Sequence, residues 1–345
     1  MSGEALPLIT AELPGCGGAV RELEDFVVEE IPAYLPCGEG EHCLALVEKR
    51  GLTTPQAVQA ICTALGLQSS EAGHAGMKDK HGVTRQWLSF FRADPQQLRA
   101  LELDNLRVLE AGLHRNKLRA GHLRGNRFVV TLRGAHAEGL ARARATLDRL
   151  VETELPNYYG EQRFGRQGDN AEAGLRLLRG GRPPRDRMQR RMLVSALQSQ
   201  LFNEVLARRL RTPGAGLLDL LGGEVMQRRD SEGLFVSEDT SVDALRLKQR
   251  ELCVTGPICG PRMPLPREGS PARALEEAVF AEHEVQPDDF ARLGRLARGG
   301  RRALSVAALD AALEAGEEAG SLRLSFRLPP GSYATVLLRE LCKND

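Results

Sequence analysis

The sequence has few lysines, no Cys-x-x-Cys spacing and no long apolar run. Its 345 residues include seven cysteines, an odd number, and their spacing indicates neither a disulfide framework nor a standard zinc site. We therefore expect reduced, mostly buried thiols and no metal. No run of about 18 apolar residues could span a bilayer, and the first residues lack the basic cluster of a signal peptide. A cytoplasmic protein without membrane contact is the expected class.

Charge is balanced overall but unevenly distributed. Hydrophobic residues make up 42% of the chain and the net charge is +1. This length and apolar content suffice for one large domain or two ordinary ones, and the net charge argues neither for nor against nucleic acid. Residues 114–127 carry no acid and residues 179–191 carry one. We interpret both segments as phosphate-facing surfaces, and a solvated charged face is the alternative.

An aspartate between two lysines is the clearest chemical signal. Asp79 lies between Lys78 and Lys80, and Gly76 and Gly82 bound the segment. The two ammonium groups favour the charged form of the carboxylate, the glycines allow tight turns, and the run that follows is typical of a strand. An anchored carboxylate suits a nucleophile, whereas a solvated turn is the alternative interpretation.

This segment resembles the Gly-x-Lys-Asp-Lys/Arg-x-x-x-Thr-x-Gln signature of the TruD family of tRNA pseudouridine synthases. Six further stretches resemble the same family, follow in its order and extend the resemblance over nearly the whole chain. They are Asp-Phe-Val-Val-Glu-Glu-Ile at 25–31, Gly-Glu-Gly-Glu-His-Cys at 38–43, His-Leu-Arg-Gly-Asn-Arg-Phe at 122–128, Pro-Asn-Tyr-Tyr-Gly-Glu-Gln-Arg-Phe-Gly at 156–165, Ser-Ala-Leu-Gln-Ser-Gln-Leu-Phe-Asn-Glu at 195–204, and Leu-Pro-Pro-Gly-Ser-Tyr-Ala-Thr at 328–335.

Hydrophobic periodicity predicts an α+β fold. Alternation at 127–133 and 322–328 predicts two strands, and helical spacing predicts helices at 53–65, at 140–155 and around 193–205. A final helix is expected to begin near Ser332.

The resemblance implies a pseudouridine-synthase catalytic core with a mixed, mainly antiparallel sheet, interrupted by an inserted α/β (TRUD) domain. Residues 1–153 would form the first part of the core, and residues 154–304, which are loop-rich and Arg-rich, the inserted domain. Residues 305–345 would return a strand and a helix to the core.

The function implied by the resemblance is isomerisation of uridine to pseudouridine in tRNA, at uridine-13 of the D arm. The base is detached from ribose and rejoined through carbon-5, without redox change, so no cofactor is expected. No obligate protein partner is indicated. Asp79 matches the catalytic aspartate of the signature, and the loop lacks the second carboxyl group that glycoside hydrolysis would ordinarily require.

Four further residues match substrate-pocket positions of the family. Phe128 would stack on the flipped base, because a phenyl ring without a hydroxyl cannot act as an acid or base. Asn126 would hold the aspartate or the base by hydrogen bonds, and Phe26 and Phe326 would complete the pocket. From the residues alone, the phenylalanines are core residues and Asn126 is a turn residue.

Basic residues are assigned to two roles. Lys78 would support Asp79, and Arg21 stands near the position where the family carries a basic partner for the aspartate, one residue closer to the Asp-Phe pair than usual. Arg115, Lys117 and Arg119 would contact the RNA backbone.

Two alternatives to the enzyme remain open. A catalytically idle RNA-binding or RNA-folding protein on the same fold would bind RNA in a salt-sensitive manner and form no pseudouridine. A nucleoside hydrolase would release free uracil.

Overall fold

The computed structural model describes residues 5–344. The α-helices in this range are α1 (Thr54–Leu65), α2 (Pro95–Arg99), α3 (Gly139–Thr153), α4 (Asn170–Leu178), α5 (Arg187–Arg211), α6 (Thr240–Lys248), α7 (Pro271–Glu282) and α8 (Ala334–Cys342). The β-strands are β1 (Gly17–Ala19), β2 (Phe26–Pro32), β3 (His42–Arg50), β4 (Gly73–His74), β5 (Val83–Phe91), β6 (Leu106–His114), β7 (Leu123–Ala135), β8 (Leu155–Pro156), β9 (Val225–Arg228), β10 (Leu234–Val236), β11 (Leu252–Ile258), β12 (Gly300–Ala303), β13 (Ser305–Val306), β14 (Leu309–Ala315) and β15 (Ser321–Leu328).

The chain folds into two compact units. One unit contains the described residues up to Glu12 together with 148–307 and 335–340, and the other contains 13–147, 308–334 and 341–344. In the part of the chain that the structure describes, no helix combines the length and the hydrophobicity needed to cross a bilayer.

The second unit is built on a nine-stranded sheet. The strand order is β14-β15-β7-β2-β5-β3-β6, with β1 paired to β7 and β4 paired to β5. Among the pairs formed in this sheet by residues 5–344, β2 and β5 run parallel and the others antiparallel. The predicted α+β class with a mixed, mainly antiparallel sheet is confirmed.

Both predicted strands around the family phenylalanines are present. The run at 127–133 lies within β7 and the run at 322–328 lies within β15, and the two strands pair along eight residues. Their alternation buries Phe128, Val130, Leu322 and Leu324 because successive side chains point to opposite faces of a sheet.

Helix α1 packs on one face of this sheet. Its Thr53 cap accepts a hydrogen bond from the Gln56 N–H, and Gly66 ends the helix in a left-handed conformation. Ala57, Val58 and Ile61 are buried against β3 and β5, where Val47, Leu88 and Phe90 belong to the same core. Each large apolar side chain buried in this way contributes about 1.5–3 kcal/mol. The packing places the first turn of α1 next to the segment that carries Asp79.

The first unit contains a four-stranded sheet in the order β10-β9-β11-β12 and the long helix α5. The predicted apolar face of α5 is confirmed, since Leu193, Ala196, Leu197, Leu201 and Val205 are buried. The expected loop-rich texture of 154–304 is wrong, because this segment also forms α4, α6 and α7. The apolar pattern of each of these helices is too short to identify the helix from the sequence alone. The apolar residues of α4 and α7 are buried because both helices pack on α5.

Candidate active site

A single row of paired residues crosses the large sheet. Since directly paired residues share a face, their side chains point to the same side. The row consists of Phe326 on β15, Phe128 on β7, Val28 on β2, Thr84 on β5 and Lys49 on β3. The strand register therefore places two predicted phenylalanines at one end of the row and a lysine at the other.

Three predicted phenylalanines form one cluster. The ring centroids of Phe128 and Phe326 are 5.1 Å apart at an interplanar angle of 18°, and those of Phe26 and Phe128 are 6.0 Å apart. Phe26, Phe128 and Phe326 are 8%, 3% and 1% exposed. The cluster is thus packed, and one face of the Phe128 ring is covered by Phe326.

The Asp79 side chain is half-buried. Within residues 5–344 it accepts no hydrogen bond and takes part in no ion pair. The backbone of Asp79 is nevertheless fixed, because Lys49 Nζ donates to the Asp79 carbonyl oxygen at 2.9 Å and to the Leu52 carbonyl oxygen at 2.6 Å. The site therefore combines a free carboxylate with an immobilised backbone.

Lys49 was not identified from the sequence. It is 1% exposed, and burial lowers its pKa to about 8, while the Asp79 charge opposes this shift and the Lys78 charge adds to it. The available signal was its phase in β3, where it follows buried Ala45 and Val47 at intervals of two residues. A lysine in the buried phase of a strand is unusual unless its ammonium group is satisfied.

Side chains from α1 and β5 hold the same segment. Thr54 Oγ1 accepts a hydrogen bond from the Lys78 N–H at 3.0 Å and donates to Gln86 Oε1 at 2.8 Å. Gln86 Nε2 donates to the Gly76 carbonyl oxygen at 3.4 Å. The threonine beside the α1 cap and the signature glutamine thus act together on the Asp79 segment.

The Lys78 ammonium group pairs with Glu30 and not with the Asp79 carboxylate. It forms an ion pair with Glu30 at 2.6 Å, and the two side chains are 5% and 0% exposed. Glu30 also accepts a hydrogen bond from the Trp87 N–H at 3.2 Å. Lys78 therefore ties the segment to β2, and the ammonium in contact with the Asp79 backbone is that of Lys49.

The two bounding glycines have different roles. At Gly82, an added Cβ would lie 2.4 Å from the Phe26 carbonyl oxygen, so only glycine permits this close approach. At Gly76, an added Cβ would lie 3.7 Å from Lys78 Nζ, which is ordinary contact, and Gly76 has no positive φ. The expected need for a tight turn holds at Gly82 and is wrong at Gly76.

Asn126 lies beside the phenylalanine row. It pairs with Glu30 on β2 and with Leu328 on β15, two positions from Phe128 on the same face. Among the described residues, Asn126 Oδ1 and Thr84 Oγ1 are buried and have no hydrogen-bond partner. Buried polar atoms are rarely left unpaired, so these two atoms are exceptions to the usual pattern.

Arg21 is directed elsewhere. Its guanidinium group lies close to Gly134 of β7. The backbone N–H of Arg21 donates to the Asp25 carboxylate, which the Arg133 guanidinium group also binds. In the described chain no ion pair joins Arg21 to Asp79. Arg21 thus lies in the turn before β2, which is organised around Asp25.

The predicted RNA-facing residues lie on the connection between β6 and β7. Arg115 forms an exposed ion pair with Glu39, and Lys117 Nζ donates to the Ser70 carbonyl oxygen at 3.1 Å. Arg119 is exposed. Tyr34 stacks on His114 at 4.6 Å and contacts His122 Nδ1 through its hydroxyl at 2.6 Å. An aromatic anchor therefore holds both ends of this basic connection.

Comparisons with known proteins agree on one family. A family model described as tRNA pseudouridine synthase D (TruD) matches residues 6–182 and 186–341. A protein named tRNA pseudouridine synthase D from Anaeromyxobacter sp. (strain Fw109-5) is 47% identical over 98% of this chain and 96% of its own length. Another of that name, from Thermus thermophilus, is 43% identical over 99% of this chain and 93% of its own length.

A solved structure shares the fold. The crystal structure of the putative tRNA pseudouridine synthase D (TruD) from Methanosarcina mazei superposes with a TM-score of 0.75 at 24% identity, covering 99% of this chain and 97% of that chain. The match of the family model over nearly the whole chain and the identity to the relatives decide the assignment. This chain belongs to the tRNA pseudouridine synthase D (TruD) family, whose members are isomerases that convert uridine to pseudouridine.

Proposed function

We propose that this chain converts uridine-13 in the D arm of tRNA to pseudouridine, with Asp79 as the nucleophile. The observation that carries the proposal is the Asp79 carboxylate, which has no partner in the described chain although its backbone is held by Lys49. A nucleophile must be ionised, close and fixed in position. We place the reaction in the cytoplasm, where tRNA is available.

In the proposed reaction Asp79 acts on the target nucleoside while the bond between ribose and the uracil nitrogen breaks. The base turns and rejoins ribose through carbon-5, so no atom or electron is lost and no cofactor is required. Lys49 and Thr54 keep the backbone of the Asp79 segment in place through their hydrogen bonds. These residues position the nucleophile without touching the reacting atoms.

We further propose that the flipped base stacks on Phe128. Base flipping costs a few kcal/mol, and stacking on an aromatic ring returns about 1–3 kcal/mol per base. Because Phe128 is packed between Phe26 and Phe326, one of its ring faces must be uncovered when RNA binds. The unpaired Asn126 Oδ1 on the same face supplies an acceptor for an N–H of the base or its surroundings.

The assignment of residues 154–304 to an inserted TRUD domain is also a proposal. It is supported by the compact unit that residues 148–307 dominate.

The RNA backbone would be bound by Arg115, Lys117 and Arg119, whose connection is anchored by Tyr34. No obligate protein partner or metal enters this scheme.

The competing function is a catalytically idle RNA-binding protein. The burial of the Phe128 ring favours it, because a covered ring cannot receive a base. The two functions are separated by incubating purified chain with unmodified tRNA and mapping pseudouridine by chemical modification and primer extension. Pseudouridine at position 13 supports the enzyme, whereas bound but unmodified tRNA supports the idle protein. Release of free uracil would indicate a hydrolase instead.

A further inference from the structure

Two buried cysteines from opposite ends of the sequence lie side by side. Cys16 precedes β1 and is fully buried, and Cys342 is the last residue of α8 and is 8% exposed. The side chain of each cysteine shifts the pKa of the other, that of Cys16 downward and that of Cys342 upward, and Cys16 Sγ donates to the Gly17 carbonyl oxygen at 3.2 Å. All seven cysteines are free thiols in this structure.

The backbones around the two cysteines are also in contact. The Cys16 N–H donates to the Leu341 carbonyl oxygen at 2.9 Å, and a Cβ added to Gly15 would lie 2.3 Å from the Cys342 carbonyl oxygen. Two side chains from the end of the chain add bonds to the same segment. These are Lys343 Nζ to the Leu13 carbonyl oxygen at 2.7 Å and Asn344 Nδ2 to the Gly18 carbonyl oxygen at 2.8 Å.

We propose that Cys16 and Cys342 form a reversible dithiol–disulfide pair that can covalently link the segment before β1 to the end of α8. Disulfide formation needs neighbouring backbones and side chains within reach of each other. The hydrogen bond from the Cys16 N–H to the Leu341 carbonyl oxygen shows that the backbones are adjacent, and the two cysteine side chains interact. The co-reactant is a low-molecular-mass disulfide. Two protein thiols are oxidised to one disulfide, and the reagent disulfide is reduced to two small thiols.

The exchange proceeds in two steps. Opening of the last turn of α8 admits the small reagent. The Cys16 thiolate, whose pKa the side-chain interaction with Cys342 lowers against the effect of burial, attacks the reagent and forms a mixed disulfide with release of one small thiol. The same interaction raises the pKa of Cys342, and it is lost once Cys16 is in the mixed disulfide. Cys342 then gives up its proton to solvent, attacks the Cys16 sulfur and displaces the second small thiol.

The test uses full-length Cys37→Ser protein, because Cys37 is an exposed thiol that would react by itself. The protein is incubated with oxidised glutathione, unreacted thiols are alkylated, and non-reducing peptide digests are analysed by mass spectrometry. We expect a linked peptide pair containing Cys16 and Cys342, and a fall from six to four thiols titrated in denaturant. Dithiothreitol should restore six. The melting temperature should rise by about 5 °C on oxidation, because the link restrains the unfolded chain.

Three variants in the same background make the outcome decisive. Cys342→Ala and Cys16→Ala should each abolish the linked peptides, even if one of them proves less stable. Cys62→Ala removes another buried cysteine, in α1, and should leave disulfide formation intact. The proposal is overturned if oxidised protein retains all six thiols, if the linked peptides contain other cysteines, or if Cys342→Ala still loses two thiols. None of these readouts depends on pseudouridine formation.

Discussion

Lys49 donates a hydrogen bond from a buried ammonium group to the backbone carbonyl oxygen of Asp79, although the two residues are 30 positions apart in the sequence. The contact joins the end of β3 to the segment before β5. It fixes the backbone of the proposed nucleophile and leaves its carboxylate free.

Replacing Asp79 by Asn should abolish pseudouridine formation while tRNA affinity stays within about twofold, because the amide keeps the size of the side chain but loses the nucleophilic charge. Pseudouridine mapping and filter binding measure the two effects. Asp104→Asn, at an exposed turn, is the matched control and should be fully active. Appreciable turnover by Asp79→Asn would exclude the nucleophile assignment.

Activity should fall as pH rises through about 8, where Lys49 loses its charge and its hydrogen bond to Asp79 weakens. Lys49→Arg keeps a positive charge at all accessible pH values, so its activity should not decline in this window. Lys49→Met should show a lower kcat without this pH dependence. A wild-type profile that is flat between pH 7 and about 9.5 would contradict the positioning role.

The titration of Lys49 should raise the stability of the protein as pH increases, although it lowers the activity. The folded-state pKa of Lys49, about 8, is below the unfolded value of about 10.4. Between these values the unfolded chain binds more protons, so this residue raises the free energy of unfolding as pH increases. Urea unfolding of wild type and Lys49→Met across the window measures the difference between them.

Glu30→Gln should destabilise the protein by about 3–5 kcal/mol, because it leaves the Lys78 ammonium buried without its counter-charge. The double variant Glu30→Met with Lys78→Met removes both charges and should recover most of this loss. Glu41→Gln breaks an exposed pair with Arg92 and should cost less than about 1 kcal/mol. Equal effects of Glu30→Gln and Glu41→Gln in urea unfolding would show that burial of the first pair is unimportant.

Neutralising Arg115, Lys117 and Arg119 together to Gln should weaken tRNA binding and reduce the slope of log K against log salt by up to about 3, since each phosphate contact contributes nearly one unit. The exposed ion pair of Arg115 with Glu39 offers little resistance to exchange with a phosphate. Arg323→Gln, at an exposed position on β15, is the control. An unchanged slope would place the connection away from the RNA.

Phe128→Leu should lower kcat/KM by about 10–100-fold, the loss expected when one aromatic stacking partner is removed. Phe326→Leu disturbs the same cluster without removing the proposed base-stacking ring, and serves as the comparison. Melting temperatures separate core damage from substrate effects. If both variants lose stability and activity in parallel, Phe128 is a core residue only.

The sequence predicted those parts of the molecule that depend on local patterns. The alternating runs that became β7 and β15, the apolar face of α5 and the segment around Asp79 follow from neighbours in the chain. The phenylalanine cluster was expected only through the family resemblance, because alternation alone makes Phe128 and Phe326 ordinary core residues.

The supports of Asp79 were not predictable in the same way. Lys49 and Glu30 reach the segment because β2, β5 and β3 adopt one particular register, and register is a property of paired strands that no single strand encodes. Proximity in the sequence alone suggests that the Lys78 ammonium group supports Asp79. The position of β2 instead brings Glu30 to Lys78, and the two form an ion pair. Arg21 binds Asp25 in the turn before β2, a contact between near neighbours that the family resemblance does not indicate.

The parallel pairing of β2 with β5 limits how segments of sequence can be exchanged between related proteins. A parallel pair needs a long crossover, and here the crossover contains β3 and α1, which carry Lys49 and Thr54. The uninterrupted stretch from the start of β2 to the end of β5 thus encodes the proposed nucleophile and every side chain found to hold its backbone. Exchanging that stretch as a single unit between family members should transfer the Asp79 segment intact, whereas exchange points inside it should separate Asp79 from the side chains that hold its backbone.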